Sequence, residues 1–112
     1  MENQFIEITN VTSLDDFVAK LDSAPGVLFK HSNSCGVSSR AYDEMLKLPH
    51  PIGLVIVQRA RPVSDEIEKR WQIDHETPQV LVVKNGMVLW NASHFQVKAA
   101  DVEAVLNEAN GE

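Results

Sequence analysis

Residues 52–57, Ile-Gly-Leu-Val-Ile-Val, are apolar at nearly every position. A bilayer span takes about 20 apolar residues, so this run is far too short to cross one. An amphipathic helix would show polar residues at a period near 3.6, and a half-exposed strand would alternate. An unbroken short apolar run is what a strand carries when both its faces are covered. Covering both faces calls for a layer of helices on each side. Helices that return the chain from strand to strand by right-handed crossovers make the strands parallel. This one stretch therefore points to an α/β fold with residues 52–57 at its centre.

The rest of the chain supplies the layers. Phe5 to Ile8 reads as a first strand, and Thr12 or Ser13 as the cap of a helix whose apolar side is Leu14, Phe17, Val18 and Leu21. Pro25-Gly26 breaks the chain, and Val27 to Lys30 is a second strand. A second helix is expected from about Cys35 to Leu48, closed by Pro49 and Pro51. Pro62 and Ser64 open a third, with Val63, Ile67 and Trp71 on one side. Gln79 to Lys84 and Met87 to Ala92 read as strands joined at Asn85-Gly86, a strong hairpin signal. A last helix starts near Lys98, with Val102, Val105, Leu106 and Ala109 inward. The order is β-α-β-α-β-α-β-β-α, a mixed sheet with helices on both faces. With 112 residues it is expected to be a single domain over 1–112.

Composition narrows the function. The net charge is −6. That argues against a nucleic-acid surface, which needs clustered Lys and Arg, and against binding an anionic membrane. The start, Met1-Glu2-Asn3-Gln4, lacks the basic and apolar regions of a signal peptide, so a cytoplasmic location is expected. The four histidines have no ligand spacing, and no metal site is expected. A single cysteine excludes an internal disulfide and a Cys-rich zinc site.

That cysteine, Cys35, stands in "HSNSCGVSS", directly after the second strand and at the start of the second helix. The first amides of a helix lack intrahelical partners and carry partial positive charge, so the position favours a thiolate. Gly36 leaves room for a second sulfur to approach the backbone. Ser38 stands where its hydroxyl or amide can donate to the sulfur, and Lys30 and His31 add nearby positive charge. A buried structural cysteine would sit among apolar neighbours. Cys35 sits among Asn33, Ser34, Gly36, Ser38 and Ser39, and a reactive thiol is the better reading.

The stretch "EKRWQIDHETPQVLVVKNGMVLW" resembles the C-terminal half of thioredoxins, and "VLFKHSNSCGVSS" resembles their active-site strand and loop. The resemblance covers nearly the whole chain and implies a thioredoxin-like fold. It also implies a cis bond at Thr77-Pro78, with that loop lying against Cys35 and binding the substrate peptide. Thioredoxins carry Cys-x-x-Cys; here Ser38 replaces the second cysteine, so no internal disulfide can resolve the cycle. With "FKHS" and "VLWNASHF", the pattern resembles the YtxJ family, the monothiol bacilliredoxins of the bacillithiol system.

That family's activity implies a monothiol thiol–disulfide oxidoreductase. It would remove bacillithiol from protein mixed disulfides through Cys35, with bacillithiolated proteins and free bacillithiol as partners. Bacillithiol would be a co-substrate, and no resident cofactor is expected. Two alternatives stay open. "CGVS" is similar to the "CGFS" of monothiol glutaredoxins, which carry iron–sulfur clusters, though their later Gly-Gly-Cys-Asp-like segment is missing. A redox-inactive thioredoxin-like interaction module is the other.

Overall fold

The computed structural model describes residues 5–110. Strands β1 (Phe5–Glu7), β2 (Gly26–His31) and β3 (Ile52–Ile56) alternate with helices α1 (Val11–Ala19), α2 (Gly36–Met45) and α3 (Arg61–Trp71). Strands β4 (Gln79–Lys84) and β5 (Met87–Ser93) follow, then a short 3-10 turn at His94–Gln96 and helix α4 (Ala99–Asn110). The five strands lie in the order β1-β3-β2-β4-β5. The β1–β3 and β2–β3 pairs are parallel, and β2–β4 and β4–β5 are antiparallel. The expected mixed α/β sheet is present, and β3 is an interior strand as its apolar run requires.

Alternation along the central strands splits the core into two layers. Val27, Phe29, Leu54, Val80 and Val82 pack with Ala41 and Met45 of α2 and with Val102 and Leu106 of α4. Leu28, Val55, Leu81 and Val83 pack with Leu14 and Phe17 of α1 and with Val63 and Ile67 of α3. The hairpin turns at Asn85 and Gly86, at φ of 54° and 75°, the left-handed pair that a two-residue turn requires.

Strands β1, β2 and β3 differ from expectation by one residue at one or both ends, and three other boundaries differ with a visible cause or consequence. Helix α1 is capped by Asn10 and not by Thr12 or Ser13. Asn10 Oδ1 accepts from the Ser13 N–H at 2.8 Å, and Ser13 Oγ accepts from the Asn10 N–H at 3.2 Å, a reciprocal capping box. Helix α2 ends at Met45; the chain then tightens through bonds from Lys47 N–H to Glu44 O and from Leu48 N–H to Met45 O. Strand β5 runs one residue further, to Ser93, and the 3-10 turn after it was not anticipated.

Gly53 lies at a close approach in the second layer. A methyl group there would sit 2.7 Å from Ile8 Cδ1, 2.9 Å from Leu28 Cδ2 and 3.1 Å from Phe17 Cε2. Overpacking a core typically costs about 1–3 kcal/mol. Gly53→Ala is therefore expected to lower unfolding free energy by about that amount in urea titration, with little change in slope. An unchanged midpoint would show that α1 is not held against β3 as described.

Candidate active site

The register of the sheet brings three segments together at one end. Lys30 of β2 pairs with Gln79 of β4, and Gln79 pairs with Ser93 of β5. The chain just beyond Lys30, just before Gln79 and just after Ser93 therefore emerges side by side. These are the segment leading from His31 to Cys35, the Thr77–Pro78 segment and the 3-10 turn.

Cys35 is the N-cap of α2, with extended backbone at φ −120° and ψ 128°, and its side chain is partly exposed. Its carbonyl accepts the Ser39 N–H at 3.0 Å, which fixes it to the first helical turn. The loop before it is tied from across the sheet by Gln58. Gln58 Nε2 donates to Ser32 Oγ at 2.8 Å and Ser34 Oγ at 3.0 Å, and Gln58 Oε1 accepts the Asn33 N–H at 3.2 Å. Gly36, the first helical residue, has nothing within 4 Å of where a Cβ would stand, so the backbone beside the thiol is open to a substrate.

Below the thiol, Ser38 is fully buried. Its Oγ accepts the Ser32 N–H at 2.9 Å and lies 2.8 Å from Nδ1 of His31. His31 is itself buried, its ring 5.4 Å from Phe29 and 5.0 Å from Tyr42. Burial pulls its pKa below the usual 6.5, partly offset by the bond to Ser38, so the imidazole is neutral at pH 7. The positive charge that the sequence suggests at His31 is absent there for that reason.

Lys30 points to the other face of β2. Its ammonium is fully buried and donates to Gln79 Oε1 at 3.0 Å, while Gln79 Nε2 donates to Asp74 O at 3.1 Å. The pair secures the segment that runs into Pro78. The Thr77–Pro78 bond is cis. Pro78 O accepts the His94 N–H at 2.9 Å, and His94 Nε2 lies 3.1 Å from Glu76 Oε1. His94 reads from sequence as a surface histidine. It is exposed, yet it holds a left-handed φ of 56° and bridges two of the three segments. Gln58 and Gln79 carry no sequence signal, because the Cys35 loop that Gln58 ties and the Lys30 that Gln79 holds are more than 20 residues away.

A model of the family described as "Monothiol bacilliredoxin BrxC" matches residues 6–102. The chain belongs to the monothiol bacilliredoxin family. It is a thiol–disulfide oxidoreductase that works with one thiol, and Cys35 is the only cysteine present. A solved structure of a candidate oxidoreductase with a thioredoxin fold is 26% identical, covers 89% of this chain and 91% of its own, and superposes with a TM-score of 0.83. Thioredoxin from Fasciola hepatica, at 11% identity and 92% and 97% coverage, gives 0.72. Mitochondrial thioredoxin 3 from Saccharomyces cerevisiae, at 15% identity and 93% and 94% coverage, also gives 0.72. The last two show the thioredoxin fold alone. Among the described residues, no helix is long and apolar enough to cross a membrane.

The buried lysine makes a stability prediction. Desolvation pulls Lys30 down from 10.5 to about 8, against the attraction of Glu68, Glu76 and Asp65. Between those values the unfolded chain holds this proton and the folded chain does not, so stability from this position rises with pH. Lys30→Met removes that titration. From pH 8 to 10, unfolding free energy is expected to move in favour of wild type relative to Lys30→Met, whatever their difference at pH 7. A difference that does not vary with pH would contradict this.

Proposed function

We propose that Cys35 strips bacillithiol from proteins that carry it as a mixed disulfide and holds it until a second thiol arrives. The Cys35 thiolate attacks the bacillithiol sulfur. A Cys35–bacillithiol disulfide forms, the old S–S bond breaks, and the protein sulfur leaves as a thiolate that takes a proton from water. Free bacillithiol, as its thiolate, then attacks the bacillithiol sulfur on Cys35. Oxidised bacillithiol leaves and the Cys35 thiolate is regenerated. Bacillithiol is thus a co-substrate, no resident cofactor takes part, and the partners are bacillithiolated proteins and free bacillithiol. The chain is read as a YtxJ-type bacilliredoxin of the cytoplasm.

One observation carries this reading. Where a dithiol relative has its resolving cysteine, this chain has Ser38, fully buried and bonded to His31 and Ser32. That group cannot attack a disulfide, so the adduct has no internal way out. The remaining roles belong to the same proposal. Gly36 admits the incoming sulfur, and Ser38 steadies the thiolate at the start of α2. Lys30 contributes its positive charge from the other face of β2, where Gln79 holds its ammonium. Thr77 and Pro78 offer the backbone edge along which the substrate peptide lies.

Treated with oxidised bacillithiol, wild type is expected to accumulate as a one-to-one adduct in intact-mass spectra, and Cys35→Ser to remain unmodified. Ser38→Cys is expected to lose the adduct and end with both sulfurs joined. Failure of wild type to take up bacillithiol, with ready uptake from glutathione or coenzyme A disulfide, would overturn the choice of thiol. Failure with every disulfide would overturn the mechanism.

A further inference from the structure

The proposed cycle uses the sulfur of Cys35 and leaves unused a buried neutral histidine bonded to Ser38, in the first turn of the helix that Cys35 caps. A serine hydroxyl has one proton to give and two lone pairs to fill. The Ser32 N–H fills one lone pair of Ser38, at 2.9 Å. The contact to His31 Nδ1 at 2.8 Å must then run one of two ways. If Nδ1 is bare, it takes the Ser38 proton, and the remaining Ser38 lone pair is free to accept an S–H. If Nδ1 carries a proton, it fills that lone pair, and the Ser38 proton is free to be given to an anion.

Those two arrangements are the two ends of one proton transfer. Ser38 lies at the third helical residue after the Cys35 cap, where a cap side chain meets the first turn. The Cys35 sulfur makes no hydrogen bond to it in this structure, so the path requires the thiol to turn toward Ser38. Nε2, at the far side of the ring, reaches solvent: His31 is 8% exposed, and among the described residues no fully buried side-chain nitrogen or oxygen lacks a partner.

We propose that Ser38 and His31 form the route by which the Cys35 proton leaves for solvent, and that the tautomer of His31 records whether the sulfur is ionised. The S–H proton passes to Ser38 Oγ, the Ser38 proton passes to Nδ1, and the Nε2 proton passes to water. One proton leaves the protein, and no bond other than those to hydrogen is broken. At the end the hydroxyl donates to the thiolate and Nδ1–H donates to the hydroxyl. His31 is a positioning residue here, acting through Ser38. The inference rests on Cys35 being the working thiol and not on which small thiol it carries. Of the groups that face the imidazole, Ser38 and Tyr42 come from α2 and Phe29 from β2, and Tyr42 alone among these three is titratable.

The test is a histidine-nitrogen NMR titration of the full reduced chain, with thiolate followed in parallel by its ultraviolet absorbance. It is repeated on Tyr42→Phe and on Cys35→Ala. His31 is expected to change from Nε2–H to Nδ1–H in step with the thiolate in the first two proteins, and to stay Nε2–H throughout in Cys35→Ala. A tautomer that holds constant while the thiolate forms would overturn the proposal, and so would the same change in Cys35→Ala. In iodoacetamide alkylation at neutral pH, His31→Phe and Ser38→Ala are each expected to be slower by about 10-fold, and the double variant by about the same factor, since they interrupt one path. Losses that multiply in the double variant would overturn it. None of these readouts involves bacillithiol, so they fail or succeed apart from the choice of thiol.

Discussion

The site depends on two hydrogen bonds that meet at one hydroxyl. Ser38 Oγ joins the end of β2, through His31 and the Ser32 N–H, to the first turn of α2. A polar group with no exposure costs free energy unless it is bonded, and here both bonds go to the strand end from which the loop departs. The result is a short loop pinned at its base by Ser38 and along its length by Gln58, with Cys35 held at the tip as the cap of the helix. In the Cys-x-x-Cys pattern of thioredoxins, this position carries the thiol that completes an internal disulfide. A serine there keeps the architecture and removes that reaction.

The two faces of the sheet contribute differently. Odd positions of β2 lead to His31 and the α2 layer, where His31 meets Ser38 in the first turn below Cys35. The even position Lys30 leads to the α3 layer, where its ammonium grips Gln79 and so the base of the Thr77–Pro78 segment. His94 then ties that segment to the turn after β5, by its backbone to Pro78 and by its side chain to Glu76. Three loops that are far apart in sequence are thereby fixed relative to one another by polar groups at the strand ends and in the loops themselves.

What the sequence made legible was what local physics decides. The apolar run of 52–57 demanded an interior strand, and β3 is one. Asn85-Gly86 demanded a tight turn, and both residues take left-handed φ. The position of Cys35 at a strand–helix junction was equally readable. What stayed hidden was set by contacts distant in the chain or by competition between near-equals. Asn10, Thr12 and Ser13 are all good caps, and the choice of Asn10 came from a reciprocal bond that composition does not reveal. His31 read as a charge because its burial between Phe29 and Tyr42 depends on helix α2 closing over it. Lys30 read as charge beside the thiol, and its burial against Gln79 was hidden because that partner lies 49 residues on.

The central claim is that this chain takes the small thiol and leaves the protein free. Mixing the reduced chain with one equivalent of a bacillithiolated protein, with no other thiol present, tests it in a single intact-mass experiment. The bacillithiol mass is expected to move to Cys35, the target to be released reduced, and the reaction to stop after one equivalent until free bacillithiol is added. Accumulation of a covalent complex between the chain and its target would place the attack on the wrong sulfur and contradict the claim.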